Sequence, residues 1–143
     1  GCRVPQVDAA IALQRYRTIN AAQREGLLAS CHDLSDGGLG VALAETAFAG
    51  GFGLNVDLGK VGVEAVMSED RLLFSESASR LLVTVRPDKR ARFEELTAGR
   101  EVYCLGTVTE EPRLEIAGLQ GAPVVSSSIE TLKEAWQRPL REL

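Results

Sequence analysis

The sequence predicts an α+β fold in which helices pack on a mixed β-sheet. Segments with apolar residues at three- and four-residue spacing indicate helices, and short apolar or alternating runs between them indicate strands. The two kinds of segment follow one another without a strict strand–helix–strand repeat, which favours a mixed sheet over a parallel one. With 143 residues, 45% of them hydrophobic, the chain is long enough for one core, and we expect a single domain over residues 1–143.

The first half of the chain predicts two helices that alternate with two strands. The helices are expected at 7–26 and 39–49, and the strands at 27–31 and 54–58. Glu45 is the only charged residue of the second helix, which should therefore be enclosed on most sides. Burial of the first strand would make Cys31 an inert thiol. The predicted apolar face of the first helix consists of Ala9, Ala12, Leu13, Tyr16 and Ile19.

The second half predicts further strands and short helices. Strands are expected at 81–85, 102–108, 113–116 and, as a short edge strand, 124–125. A short helical turn is expected at 68–70 and a helix at 87–96, which opens with a proline. A terminal helix is expected at 129–136, ended by Pro139 because proline lacks the N–H that a helix needs.

Composition excludes several classes of protein. The net charge is −4, so nothing here suits a nucleic-acid backbone. The cysteines are Cys2, Cys31 and Cys104, an odd number without a C-x-x-C pair, so neither a disulfide framework nor a structural zinc site is expected. Such a chain is typical of a reduced, cytoplasmic protein. No apolar stretch approaches the roughly 20 residues of a membrane span, and no membrane contact is expected.

The segment from Ser30 to Leu39 combines the only histidine with two carboxylates and a glycine pair. It joins a predicted strand to a predicted helix, where free backbone N–H groups would form an anion site. Asp33 and Asp36 would repel a phosphate unless a Mg²⁺ ion lay between them, and Mg²⁺ takes one or two carboxylates together with phosphate oxygens. The segment therefore predicts a Mg²⁺–phosphate contact, with Asp33 as the favoured ligand.

The same segment also has a purely structural explanation, which the sequence leaves open. Ser35 or Asp36 could cap the following helix. Gly37 and Gly38 could relieve backbone strain in the turn. His32 could act as a general base, although a lone histidine at a strand end is more often a hydrogen-bonded structural residue.

A second candidate is the polar loop Ser75-Glu76-Ser77 before the strand at 81–85. A loop of this kind can place a carboxylate and a hydroxyl at the edge of a sheet, where binding residues are common. Arg80 could pair with Glu76 or meet a phosphate, and the pairing is favoured.

Three stretches carry a resemblance to a known family. They are SCHDLSDGGLGVALAETAFAGGFGLNVDL, LLFSESASRLLVTV and IETLKEAWQ. They resemble the last domain of the synthetase subunit in the phosphoribosylformylglycinamidine synthase family. The resemblance implies a C-terminal domain of the aminoimidazole ribonucleotide synthetase-like type, with helices on a mixed sheet. The only methionine is Met67, so the chain lacks an initiator and is expected to be a processed product or a piece of a larger protein. The resemblance implies that this larger protein is a multidomain synthetase.

The resemblance implies an ATP-dependent C–N ligase of purine biosynthesis. Such an enzyme converts formylglycinamide ribonucleotide and glutamine-derived ammonia to the amidine, with ATP and Mg²⁺ as cofactors. The implied partners are N-terminal ATP-binding domains of the same polypeptide and a glutaminase subunit or domain. Phosphoryl transfer needs metal, phosphate clamps and nucleophile together. We therefore expect the isolated chain to be inactive and to hold no cofactor tightly.

The resemblance also assigns residues. Asp33 matches a Mg²⁺-binding aspartate of the family, and the Ser75–Ser77 loop matches a Ser-Glu-Ser-Gln loop that contacts substrate. Ala78 replaces the glutamine, which suggests a copy outside the main active site. A non-catalytic scaffold is the alternative, and a stand-alone relative such as a thiamine-monophosphate kinase is disfavoured because no ATP-binding half is present. The residues expected beside nucleotide or substrate are His32, Asp33, Ser35, Asp36, Gly37, Gly38, Glu76 and Ser77.

Overall fold

The computed structural model describes residues 6–62 and 68–141. These residues contain five α-helices and six strands. Cys2 and Met67 lie outside these ranges. The helices are α1 (Ala9–Arg24), α2 (Gly38–Gly50), α3 (Glu69–Phe74), α4 (Arg90–Leu96) and α5 (Ile129–Arg141). The strands are β1 (Leu28–Asp33), β2 (Gly53–Asp57), β3 (Leu81–Val85), β4 (Gly106–Thr109), β5 (Arg113–Ala117) and β6 (Pro123–Ser128).

The strands form two separate sheets within the described residues. A four-stranded sheet has the order β4-β2-β5-β6, and a two-stranded antiparallel ribbon joins β1 to β3. In the larger sheet β2 runs parallel to β5, while β2–β4 and β5–β6 are antiparallel. This arrangement confirms the predicted α+β class and the mixed sheet. The sequence predicted a single sheet, whereas the structure has the β1–β3 ribbon as a separate second sheet.

The main core is centred on α2. This helix packs on α3 and α5 and contacts both sheets. Leu43 and Ile116 are almost fully buried at the contact between helix and sheet. Only Ala49 and Gly50, at the end of α2, are exposed. The enclosure predicted from its single charged residue is confirmed.

A smaller core joins α1 and α4 to the ribbon. It is formed by Ala22, Leu27 and Phe93. The predicted apolar face of α1 is wrong, because Leu13 and Tyr16 are 49% and 50% exposed. Of the predicted face only Ala12 is buried, and the other buried residues of α1 are Thr18 and Ala22. The reason is tertiary: the face that packs on α4 and the ribbon is lined by small side chains, and the bulky ones point outward.

Several boundaries differ from the sequence expectation. The first strand reaches Asp33, and Cys31 is exposed rather than buried because its side chain alternates with those of neighbours facing the other way. The strand predicted at 102–108 begins only at Gly106, where pairing with β2 starts. The short edge strand expected at 124–125 extends to Pro123–Ser128 because β5 pairs with it.

The terminal helix does not stop at Pro139 but continues to Arg141. Proline removes one N–H donor, yet its fixed φ is close to the helical value, so a proline in the last turn shortens the hydrogen-bond ladder without ending the helix. Among the described residues, no helix is both long and apolar enough to cross a membrane.

Candidate functional site

Two segments far apart in the sequence meet at the start of α2. One is the turn Leu34–Gly37, which follows β1, and the other is the loop Ser75–Arg80, which precedes β3. They are brought together because β1 and β3 pair, with Asp33 opposite Leu81. The Leu34 N–H also donates to the Arg80 carbonyl at 3.2 Å. The two sequence-predicted candidates therefore form one site.

A carboxylate from the loop caps the helix that follows the turn. The Gly37 N–H donates to Glu76 Oε1 at 2.9 Å, and the Gly38 N–H donates to the Ser35 carbonyl at 3.3 Å. A negative charge at this position is favourable because the helix dipole is positive there. The predicted anion site required free N–H groups on these two glycines. Both N–H groups instead donate to acceptors of the chain itself, the Glu76 carboxylate and the Ser35 carbonyl.

The glycine pair has a specific geometric role. Gly37 and Gly38 have φ of +78° and +63°, a region that residues with a Cβ seldom adopt. A Cβ on Gly38 would lie 2.6 Å from the Ser75 carbonyl oxygen and 2.8 Å from that of Leu73. The small residue thus lets the start of α2 lie directly against the end of α3.

Asp33 is the accessible carboxylate of the turn. Its side chain is 66% exposed, and Ser35 Oγ donates to its Oδ2 at 2.6 Å. This hydrogen bond is the main reason that the pKa of Asp33 lies below its usual value, with a smaller contribution from His32. Gly37 is the N-cap residue of α2, and neither Ser35 nor Asp36 accepts a capping hydrogen bond from the start of the helix through its side chain. The alternative in which Ser35 or Asp36 caps α2 is therefore wrong.

His32 connects β1 to α2. Its Nδ1 lies 2.6 Å from the Asp33 carbonyl oxygen, and its Nε2 lies 3.0 Å from Glu45 Oε2. Both ring nitrogens therefore have a protein partner, which favours the structural role over a general base. Glu45 was not among the predicted site residues, although a single charge on an otherwise apolar helix was a signal that could have found it.

Arg80 does not pair with Glu76 as the sequence favoured. Its guanidinium donates to the Ser75 carbonyl, to Ser75 Oγ at 3.1 Å and to the Ser77 carbonyl at 3.5 Å. Partial burial of this side chain lowers the pKa of Arg80. The Glu76 carboxylate therefore accepts from the Gly37 N–H and not from Arg80.

The remaining predicted residues lie at the surface of the same site. Asp36 is exposed, and its side chain makes no hydrogen bond to other described residues. Ser77 is exposed as well, with its carbonyl held by Arg80. The site thus presents several polar groups outward. Its exposed members are Asp33, Ser35, Asp36, Glu76 and Ser77.

The donor set does not form a self-sufficient metal centre. Within residues 6–62 and 68–141, no group of three or more His, Cys, Asp and Glu side chains could hold a metal ion. Asp33 Oδ2 is engaged by Ser35, so Oδ1 is the oxygen available for a ligand. One exposed carboxylate fits Mg²⁺ only when phosphates and water supply its other ligands.

The fold and the site together define a class. The chain is an α+β domain with one exposed edge of acidic and hydroxyl residues. The chain belongs to the AIR synthase related protein, C-terminal domain family, whose model matches residues 3–118.

Comparison with individual proteins agrees with this family. Phosphoribosylformylglycinamidine synthase subunit PurL of Deinococcus radiodurans is 39% identical over 139 residues, which are 97% of this chain and 18% of that protein. PurL of Thermotoga maritima complexed with FGAR superposes with a TM-score of 0.79 at 25% identity, covering 90% of this chain and 22% of that one. The ATP complex of the same PurL gives a TM-score of 0.76 at 27% identity, with 89% and 22% covered. The chain thus spans about a fifth of the length of these relatives.

Proposed function

We propose that this chain is the C-terminal domain of a phosphoribosylformylglycinamidine synthase, and that its α2 edge forms one wall of a nucleotide or substrate cleft. The observation that carries the proposal is the exposed Asp33 beside the Gly37–Glu76 contact, in a domain 39% identical to PurL. An exposed carboxylate is ionised at neutral pH and is suited to meet a cation, and the Ser35 hydroxyl orients this one.

The residues of this edge have separate roles in the proposal. Asp33 Oδ1 would hold Mg²⁺, which supplies charge neutralisation for the phosphates of ATP. Ser35 orients Asp33 through Oδ2, and His32 fixes the strand end against Glu45. Asp36, Glu76 and Ser77 would line the wall beside the nucleotide or substrate, and Gly37 and Gly38 would shape the turn behind them.

The proposal extends to the whole protein. The complete polypeptide would be an ATP-dependent C–N ligase that forms the amidine of formylglycinamide ribonucleotide in the cytoplasm. Its cofactors would be ATP and Mg²⁺, and its glutaminase subunit or domain would supply ammonia. The N-terminal ATP-binding domains would be covalent neighbours of this single domain, consistent with a coverage of only 18% of the relative. The isolated chain would lack activity, and turnover by residues 1–143 with ATP, Mg²⁺ and ammonia would contradict this.

A scaffold role is the second candidate, and two observations favour it. The Gly37 N–H, which could have received a phosphate, already binds Glu76. Ala78 stands where the related substrate-binding loop has glutamine. In this version the domain would pack against sister domains or the glutaminase without touching nucleotide.

Asp33→Asn in the full-length enzyme separates the two candidates. Loss of the charge should raise the KM for Mg²⁺–ATP about tenfold, the lower end of the effect of altering a metal site. Asp70→Asn is the matched control, because Asp70 is also exposed and its pKa is also lowered mainly by a serine hydrogen bond. Steady-state kinetics at varied Mg²⁺ would measure both variants. Unchanged kinetics with altered assembly of Asp33→Asn would contradict the nucleotide role and favour the scaffold.

A further inference from the structure

We propose that Arg80 is a positioning residue that holds Glu76 against the start of α2. It acts through the loop backbone, without contact to Glu76 itself. Its effect on catalysis rests on the proposed function, whereas its effect on the loop does not.

Arg80 contacts residues on both sides of Glu76 in the sequence. The guanidinium binds the carbonyl of Ser75, which precedes Glu76, and the carbonyl of Ser77, which follows it. Arginine presents five donors in a rigid planar fork, so one side chain can fix two peptide groups at once. With the Ser75–Glu76 peptide and the Ser77–Ala78 peptide both held, the segment that carries Glu76 is fixed toward Gly37.

The backbone of Arg80 is tied to the turn that receives Glu76. Its carbonyl accepts from the Leu34 N–H at 3.2 Å. The preceding Ser79 has φ of +64°, a left-handed backbone conformation that is strained outside glycine. The chain reverses direction at Ser79, which places the Arg80 side chain against the loop to which it donates. The loop that carries the acceptor Glu76 and the turn that carries the donor Gly37 N–H are therefore joined at Arg80.

The surroundings of Arg80 are unusual for a surface arginine. It lies partly buried, and no carboxylate forms an ion pair with it among the described residues. A cation partly removed from water needs compensating acceptors. Those acceptors are the Ser75 and Ser77 carbonyls and Ser75 Oγ. The side chain is thus committed to the loop and is not a solvated charge.

Hydrogen exchange in the full-length polypeptide tests the proposal. Arg80→Ala should accelerate amide exchange at least about fivefold in both segments 34–40 and 74–79, and Arg80→Lys should give an intermediate effect because lysine lacks the fork. Arg92→Ala is the matched control, since Arg92 also bonds two partners, Glu25 and Glu95, but away from this site. Exchange in segment 34–40 that stays at the wild-type rate in Arg80→Ala would overturn the proposal.

A double-mutant cycle separates positioning from general structural support. If Arg80 acts through Glu76, then Arg80→Ala should add no acceleration at Gly37 once Glu76→Ala has removed the carboxylate. Additive effects on the Gly37 amide would show that Arg80 supports the fold by another route, and the inference would fail. Both comparisons use the exchange rate of the Gly37 amide in folded variants. A general loss of stability would be recognised because amide exchange would then accelerate in the main core as well.

Kinetics of the same variants distinguish this inference from the proposed function. Arg80→Ala should lower kcat/KM of the full-length enzyme about tenfold, with Arg80→Lys between it and wild type. If the exchange data couple Arg80 to Gly37 while kcat/KM is unchanged, the positioning role stands and the cleft role of Glu76 fails. If Asp33→Asn impairs Mg²⁺–ATP use while exchange is insensitive to Arg80, the proposed function stands and this inference fails.

Discussion

At the scale of single residues, the site is organised by hydrogen bonds that bind carboxylates to neutral donors. Glu76 accepts from a backbone N–H, and Asp33 accepts from the Ser35 hydroxyl. Neither is paired with an arginine in the described residues, although Arg80 lies nearby. Both carboxylates are exposed, so their negative charges lie at the surface of the site. Such an arrangement is suited to a cation, which a tight ion pair would exclude.

Ser35→Ala tests the hydrogen bond that lowers the pKa of Asp33. Without the hydroxyl, the pKa of Asp33 should rise toward about 3.9, the value of a free aspartate. The measurement is a carboxyl carbon NMR titration of Asp33. Ser77→Ala is the control, because its hydroxyl makes no hydrogen bond to Asp33. An Asp33 titration that is the same in wild type and Ser35→Ala would show that the Ser35 contact has no electrostatic effect.

At the scale of elements, the contact between α2 and α3 decides the shape of the site. Gly38 lies against the carbonyls of Leu73 and Ser75, so the start of one helix touches the end of the other. Gly40 allows a second close approach, since a Cβ there would lie 3.1 Å from the Phe74 ring. The loop that carries Glu76 leaves α3 at this contact. The distance between the two helices thus determines where the carboxylate lies.

Gly38→Ala should therefore be costly. Its positive φ contributes about 1 kcal/mol and the collision with backbone oxygens a further 1–3 kcal/mol, so the free energy of unfolding should fall by roughly 2–4 kcal/mol. Gly26→Ala is the matched control, because Gly26 has φ of +64° and no atom within 4 Å of the added Cβ. It should cost only about 1 kcal/mol. Urea denaturation measures both, and equal losses would contradict the close contact between α2 and α3.

At the scale of the whole molecule, two cores are joined by the β1–β3 ribbon. The main core surrounds α2, and the smaller one lies under α1 and α4. The end of α1 is tied to α4 by a two-bond ion pair, in which Arg92 Nε and Nη2 bind Glu25 at 2.8 and 3.1 Å. This hydrogen bonding lowers the pKa of Glu25. We therefore expect the contact between α1 and α4, within the smaller core, to weaken at acidic pH.

The pH dependence has a definite sign. Because the folded pKa of Glu25 lies below that of the unfolded chain, its stabilising effect is complete above about pH 4.3. It is lost as the pH falls through the lowered folded value. Urea midpoints should therefore decrease from about pH 6 to about pH 3, and Arg92→Ala should make this decrease shallower.

Salt provides the control for this prediction. Both side chains of the Glu25–Arg92 pair are partly exposed, so about 1 M salt should screen their attraction and reduce the difference between wild type and Arg92→Ala. A pH profile that is identical in the two proteins at low salt would show that the pair does not link α1 to α4 energetically.

The sequence by itself determined the helices and strands of the main core and the two polar segments of the site. Spacing of apolar residues is a local property, so α2, β2, β3 and β5 were predictable to within a few residues. The resemblance of the Ser30–Leu58 stretch to a known family added the domain type, which the family match confirms.

Only the tertiary structure decided which groups meet. Glu76 reaches Gly37 across 39 residues of sequence, and Arg80 binds carbonyls in place of the expected carboxylate. Tertiary structure also decided three further features, which are the outward face of α1, the separate β1–β3 ribbon and the exposure of Cys31. Each depends on what lies opposite in space, and neither periodicity nor composition carries that information.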